Sequence, residues 1–85
     1  MTAPGTERAR SAVVTGGGSG LGEAIAQALH GGGYRVMVAD IDAAEARRAA
    51  ETLDPSGTTA VAQQLDVREK PQFEAALEAA TARWG

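Results

Sequence analysis

The feature that most constrains this chain is the segment TGGGSGLG, residues 15–22, in which five of eight residues are glycine. It follows the run SAVVT, whose small and β-branched residues are typical of a buried strand. Beyond it, apolar residues recur at the spacing of an amphipathic helix: Leu21, Ala24, Ile25, Ala28 and Leu29. The sequence therefore predicts a glycine-rich connection between a strand and a helix, here called the glycine loop (residues 16–22).

The remainder of the chain repeats this order of strand and helix. HGGGY ends the first helix, and YRVMVAD (residues 34–40) predicts a second buried strand. Asp42, with Glu45 three residues later, resembles the capping box that begins a helix. One face of that second helix is predicted to be apolar: Ala46, Ala50 and Leu53.

A third strand is predicted within residues 58–67, and Pro71 suits the first turn of a last helix. The face of that helix predicted to pack on the sheet is Phe73, Ala76, Leu77, Ala80 and Trp84. Alternation of strands and helices with short connections predicts an α/β fold with a parallel sheet. Residues 1–10 are small, polar and charged, and we expect them to form a flexible lead-in.

Composition excludes several classes of function. The net charge is −3 and no basic cluster exceeds the pair Arg47 and Arg48, so no nucleic-acid partner is expected. Cysteine is absent and His30 is the only histidine, so no metal site is expected. No apolar run approaches the ~20 residues of a membrane span, and residues 1–10 lack the apolar core of a secretory signal. We therefore expect a cytoplasmic protein without a membrane partner.

The position of the glycine loop predicts phosphate binding. The first N–H groups of a helix have no partner within it, and the helix dipole favours negative charge there. Glycine lets the backbone approach a phosphate closely. The loop is not an ATP-binding P-loop, because Glu23 and Ala24 stand where that motif requires lysine and a hydroxyl residue.

The spacing of the glycines distinguishes between the known nucleotide-binding motifs. The pattern G-x-G-x-x-G does not fit, because its third glycine would fall on Leu21 or Glu23. T-G-x-x-x-G-x-G does fit, through Thr15, Gly16, Gly20 and Gly22, and resembles the cofactor motif of the short-chain dehydrogenase/reductase family. The resemblance implies a Rossmann-type doubly wound parallel sheet with strand order 3-2-1. It also implies that residues 11–85 form the N-terminal half of a dinucleotide-binding domain.

The same resemblance implies a cofactor site. Asp40, about 20 residues beyond the loop, would accept the ribose hydroxyls of NAD and repel the 2′-phosphate of NADP. Ile41 would pack on the adenine, and the element Asp66–Val67 would contact its edge. NAD is therefore favoured over NADP. The expected cofactor-binding residues are Gly16, Ser19, Gly20, Leu21, Gly22, Asp40, Ile41, Asp66 and Val67.

Two alternatives remain at this point. A methyltransferase that uses S-adenosylmethionine also has a glycine loop, which could be Gly16, Gly18 and Gly20, and acidic residues after its second and third strands. Against it, Val14 stands where such enzymes usually carry an acid. The third possibility is a non-catalytic nucleotide-binding module that functions at this length.

The family's catalytic serine and Y-x-x-x-K motif have no counterpart in this sequence. Tyr34, the only tyrosine, has Val38 four residues later, and the only lysine is Lys70. We therefore expect a fragment of an oxidoreductase that acts on an alcohol or ketone. It would have no catalytic residues of its own, be inactive alone, and form a homo-oligomer when complete. A first strand at the sheet edge also predicts poor stability and aggregation.

Overall fold

A computed structural model describes residues 10–85, in which three strands alternate with three helices. The elements are β1 (Ser11–Thr15), α1 (Gly20–Gly31), β2 (Arg35–Asp40), α2 (Ala43–Leu53), β3 (Ala60–Gln64) and α3 (Lys70–Trp84). The predicted α/β order is confirmed. Of the predicted lead-in, only Arg10 lies within the described residues.

The three strands form one parallel sheet in the order β1-β2-β3, which confirms the predicted strand order. Val14 is in register with Val38, and Val36 with Ala60. β2 is central, and its residues from Val36 to Ala39 are all buried. A continuous apolar run is what a strand needs when both of its neighbours and both of its faces are covered. β1 lies at the edge of this sheet.

Helices cover both faces of the sheet, because alternate strand residues point to opposite sides. On one face Val14, Val36 and Val38 pack against Ala26 of α1 and the alanines of α2. On the other face Met37 and Ala39 pack against Ala76 and Ala80 of α3. The small side chains of the helices let them lie close to the β-branched strands. The result is a Rossmann-like partial fold with two thin cores.

The predicted packing face of α1 is wrong except at Leu29. Leu21, Ala24, Ile25 and Ala28 are exposed, whereas Ala26 is buried and Leu29 packs against the core. The sheet therefore contacts the side of the helix that carries Ala26, whose small side chain permits close approach. In α3, Ala76 and Ala80 are buried and Trp84 packs against the same core, as predicted, but Phe73 and Leu77 are 36% and 42% exposed. The helical periodicity of the sequence predicted where the helices lie, but not which of their apolar side chains the sheet covers.

The predicted start of α2 is confirmed in part. The Asp42 carboxylate accepts hydrogen bonds from the N–H groups of Ala44 and Glu45, at 3.0 and 3.1 Å. The Glu45 carboxylate does not complete a capping box, because it accepts a hydrogen bond from Arg48 and the Asp42 N–H donates to Asp40. Pro71 lies in the first turn of α3, as predicted.

Candidate functional site

The structure brings the nine predicted site residues to one edge of the sheet. The glycine loop follows β1, Asp40 and Ile41 stand at the end of β2, and Asp66 and Val67 follow β3. Since the strands are parallel, their carboxyl ends meet at this edge. Ligands of open α/β sheets bind in the crevice outside these carboxyl ends.

The backbone of the glycine loop needs glycine for two different reasons. Gly16 and Gly20 have φ angles of +66° and +59°, the left-handed region that other residues enter at a cost. Gly22 instead has no room for a side chain, because a β-carbon there would collide with the carbonyl of Gly16. Its close partner is therefore the loop backbone at the end of β1, which brings the first turn of α1 against the loop.

Gly17 and Gly18, which the motif leaves variable, also prove to be constrained. A β-carbon on Gly17 would lie 2.8 Å from the Val14 carbonyl oxygen. A β-carbon on Gly18 would lie 2.9 Å from the Asp40 carboxylate and 2.9 Å from Cβ of Glu45. The loop therefore folds down onto β1, β2 and the start of α2. No local sequence signal could have identified these contacts.

The N-terminus of α1 is open to solvent beyond the loop. Ser19 is its N-cap in an extended conformation, and the Ser19 hydroxyl makes no capping hydrogen bond. Ser19, Gly20 and Leu21 are all exposed. Since the first N–H groups of a helix lack partners within it, this end presents donors and a positive dipole to an anion.

Asp40 joins the end of β2 to the glycine loop. Its Oδ2 accepts a hydrogen bond from the Gly18 N–H at 3.1 Å, and its Oδ1 accepts one from the Asp42 N–H at 3.0 Å. The carboxylate is thus held from two sides by backbone groups. Each carboxylate oxygen can accept more than one hydrogen bond, so capacity remains for a ligand.

A cleft lies between the ends of the three strands and is here called the strand-end cleft. It has a volume of about 250 Å³ and is lined by Gly16, Asp40, Ile41, Leu65, Asp66, Val67 and Arg68. Leu65 is buried, whereas the side chains of Ile41 and Val67 are more than half exposed. Depressions of about 390 and 400 Å³ lie elsewhere on α2 and α3, and neither is lined by the glycine loop. The strand-end cleft combines apolar walls with the carboxylates of Asp40 and Asp66.

Arg68 is a cleft residue that the sequence analysis did not select. Its Nε and one terminal nitrogen donate to the two oxygens of Asp66, at 3.0 and 2.8 Å. The Arg68 N–H donates to the same carboxylate at 3.0 Å. The hydrogen bond from the Arg68 side chain, followed by that from its backbone, lowers the pKa of Asp66 to about 2. Asp66 is therefore ionised and oriented at neutral pH.

Residues 10–85 contain neither a membrane-spanning helix nor a metal-binding cluster. Over this range, no helix is both long and apolar enough to cross a membrane. No group of three or more acidic or histidine side chains in the described part of the chain could hold a metal ion.

Comparison with known proteins identifies the family to which this chain belongs. The family model described as short chain dehydrogenase matches residues 10–85. The chain belongs to the short-chain dehydrogenase family. It corresponds to the N-terminal portion of that family, which confirms the resemblance carried by the glycine motif. The family match decides against the methyltransferase alternative.

Individual family members are similar over most of this chain. A galactitol 2-dehydrogenase of Agrobacterium fabrum is 36% identical over 74 residues, which cover 87% of this chain and 28% of that protein. A crystal structure of a short-chain dehydrogenase/reductase from Burkholderia phymatum, in complex with NAD, gives a TM-score of 0.85 at 32% identity. The match covers 92% of this chain and 28% of the Burkholderia chain.

A 3-ketoacyl-(acyl-carrier-protein) reductase of Brucella melitensis, complexed with NADH, gives a TM-score of 0.82 at 36% identity. That match covers 92% of this chain and 31% of the reductase. The chain therefore spans less than a third of the length of these relatives. The shared part is the portion that contains the glycine loop and the strand-end cleft.

Proposed function

We propose that this chain binds NAD, as the cofactor-binding part of an oxidoreductase that transfers hydride between NAD(H) and an alcohol or ketone. The observation that carries the proposal is the link between Asp40 and the glycine loop. The Gly18 N–H donates to the Asp40 carboxylate, so a ribose-binding acid and a phosphate-binding loop form one unit. The neighbours bound to NAD and NADH support this cofactor class.

The residues present fit the pyrophosphate of a dinucleotide. The N-terminus of α1 is exposed and its N-cap side chain leaves the first N–H groups free of side-chain partners. No β-carbon from Gly16 or Gly20 obstructs the approach. We infer that the N–H groups of Ser19, Gly20 and Leu21 receive the phosphates, because the helix dipole reinforces these hydrogen bonds.

The strand-end cleft fits an adenosine moiety. Asp40 would accept hydrogen bonds from the ribose hydroxyls, and its charge would repel an added 2′-phosphate. Ile41 and Val67 offer apolar surface for the two sides of a flat base. The ionised Asp66 carboxylate can accept from an exocyclic amino group with the capacity that Arg68 leaves.

The chain's own residues bind and orient, whereas the nicotinamide supplies the hydride chemistry when bound. All the residues given a role above lie within residues 10–85, and all of them would bind the cofactor. We therefore expect the 85-residue chain to turn over no substrate by itself. For the complete protein we propose an alcohol or ketone substrate, a cytoplasmic location and a homo-oligomer.

Cofactor titration tests the proposed function directly. NADH should quench the tryptophan fluorescence of the full-length gene product or shift its melting temperature. It should do so at a lower concentration than NADPH. S-adenosylmethionine should have no effect. Binding of S-adenosylmethionine in preference to both nicotinamide cofactors would overturn the proposal.

A further inference from the structure

We propose that Arg48 is a positioning residue that holds the glycine loop in the conformation that binds the cofactor. Arg48 lies on α2, outside every motif of the sequence, and does not line the strand-end cleft. The inference rests on the proposed function, because it assigns to Arg48 a part in the same site.

The Arg48 guanidinium reaches three partners in two other segments and its own helix. One terminal nitrogen donates to the Gly18 carbonyl oxygen at 2.6 Å and to Glu23 at 3.1 Å. The other terminal nitrogen donates to the second oxygen of Glu23, also at 3.1 Å. A further contact of 3.2 Å joins Arg48 to Glu45. Arg48 thus connects α2 to the glycine loop and to the first turn of α1.

The peptide groups on both sides of Gly18 are therefore fixed by charged side chains. The Gly18 N–H donates to Asp40 of β2, and the Gly18 carbonyl accepts from Arg48 of α2. Hydrogen bonds to ionised partners are shorter and stronger than those between neutral groups. Rotation of this segment would break both bonds. Arg48 consequently constrains the loop and, through Gly18, the orientation of the Asp40 carboxylate.

The fork of the guanidinium is needed for this role. Two parallel N–H groups engage the two oxygens of Glu23, while a third N–H direction reaches the Gly18 carbonyl. A lysine ammonium is a single point charge on a flexible stem and cannot reproduce this planar geometry. Arg48→Lys should therefore keep the positive charge but fail to hold the loop in position.

Direct attraction between Arg48 and a phosphate is a different mechanism, and the surrounding charges argue against it. Arg48 stands between two carboxylates, Glu23 and Glu45. The hydrogen bond from Arg48 holds the pKa of Glu23 below its usual value, so that Glu23 stays ionised. The three side chains together carry no excess positive charge for a phosphate. Arg48 acts through the Gly18 carbonyl.

Cofactor binding by Arg48 variants of the full-length gene product tests the proposal. Arg48→Met should raise the Kd for NAD roughly 10-fold, the order seen when partners that orient a ligand-binding group are removed. Arg48→Lys should recover little of that loss. Arg47→Met is the matched control, because Arg47 is exposed on the same helix and carries the same charge. It should leave the Kd for NAD unchanged, and equal effects of the two methionine variants would overturn the proposal.

A double variant separates position from charge. Arg48→Met combined with Glu23→Gln restores the net charge of the cluster but not the hydrogen bond to Gly18. Its Kd for NAD should stay as high as that of Arg48→Met. Recovery of the wild-type Kd would show that charge alone matters and would overturn the positioning role.

Hydrogen exchange without any cofactor gives an independent readout. Peptides that cover residues 16–22 should exchange faster in Arg48→Met than in Arg47→Met, with equal exchange in β2. Unchanged exchange in the loop would overturn the proposal even if binding weakened. Failure of the wild-type protein to bind NAD would instead overturn the proposed function, and the exchange experiment would still decide whether Arg48 holds the loop.

Discussion

Gly22 faces the carbonyl of Gly16 so closely that a β-carbon cannot fit between them. Gly22→Ala should therefore force the first turn of α1 away from the end of β1, at a cost of about 1–3 kcal/mol in the free energy of unfolding. The same displacement should weaken NAD binding, because it moves the donors at the N-terminus of α1. Denaturant unfolding and NADH titration measure the two effects.

Gly31→Ala provides the control for that prediction. Gly31 also lies in α1, and a β-carbon there meets nothing within 4 Å. Alanine is the better helix former, so this variant should be neutral or up to about 1 kcal/mol more stable. If the two alanine variants behaved alike, close packing of Gly22 would not be the reason for its glycine.

Removal of the Asp40 charge should change cofactor preference. In Asp40→Asn the repulsion of a 2′-phosphate disappears, while the single side-chain oxygen can keep one of the two backbone hydrogen bonds that the carboxylate accepts. We expect the ratio of Kd for NADPH to Kd for NADH to fall about tenfold or more, because like charges at an interface are strongly unfavourable. Glu51→Gln, an exposed carboxylate of α2 outside the cleft, should leave the ratio as in the wild type. An unchanged ratio in Asp40→Asn would refute the role of Asp40.

The ion pair of Asp66 with Arg68 should be visible in acid. Arg68 lowers the pKa of Asp66 from 3.8 to about 2 in the folded chain. A depressed folded-state pKa contributes stability above the unfolded value, and this contribution is lost as the pH falls from 3.8 towards about 2. Arg68→Met should therefore lose less stability across this window than the wild type.

Melting temperatures across that pH range test the sign of this effect. Lys70→Met is a suitable control, because it removes one positive charge that lies 3.8 Å from the Glu74 carboxylate and is not paired with Asp66. Its acid dependence should follow that of the wild type. Parallel curves for all three proteins would show that Arg68 does not set the ionisation of Asp66.

Exposed apolar side chains should make the 85-residue chain aggregate. Ile25 of α1 and Leu77 of α3 are 45% and 42% exposed, on helices that cover opposite faces of the sheet and both contact the edge strand β1. Exposed apolar patches beside an open strand edge promote association. The double variant Ile25→Lys, Leu77→Lys should increase the monomer fraction in size-exclusion chromatography. A wild-type chain that is monodisperse and melts cooperatively would contradict this prediction.

Most of the fold could be predicted from local pattern. The apolar run of β2 and the glycines after β1 fixed the order of elements, and Asp42 marked the start of α2. The packing face of α1 could not be predicted, because hydrophobic spacing does not say which side the sheet will accept. Leu21 and Ile25 are exposed, whereas the sheet contacts Leu29 and the smaller Ala26 of the same helix.

The candidate site divides in the same way. The spacing of Gly16, Gly20 and Gly22, with an acid at Asp40, indicated a dinucleotide cofactor through its resemblance to the family motif. The contacts of Gly18 and Arg48 were not accessible, because they join residues 30 positions apart. Such contacts depend on how α2 lies against the loop.

The sequence by itself determined the order of strands and helices, because short-range geometry controls turns, caps and helix N-termini, and its glycine motif indicated the family by resemblance. The tertiary structure decided which glycines lack room for a side chain and which charged groups hold the loop. Those properties arise only where separate elements meet, since they depend on distances between residues far apart in the chain. Gly18, with Asp40 on its N–H and Arg48 on its carbonyl, is the clearest case.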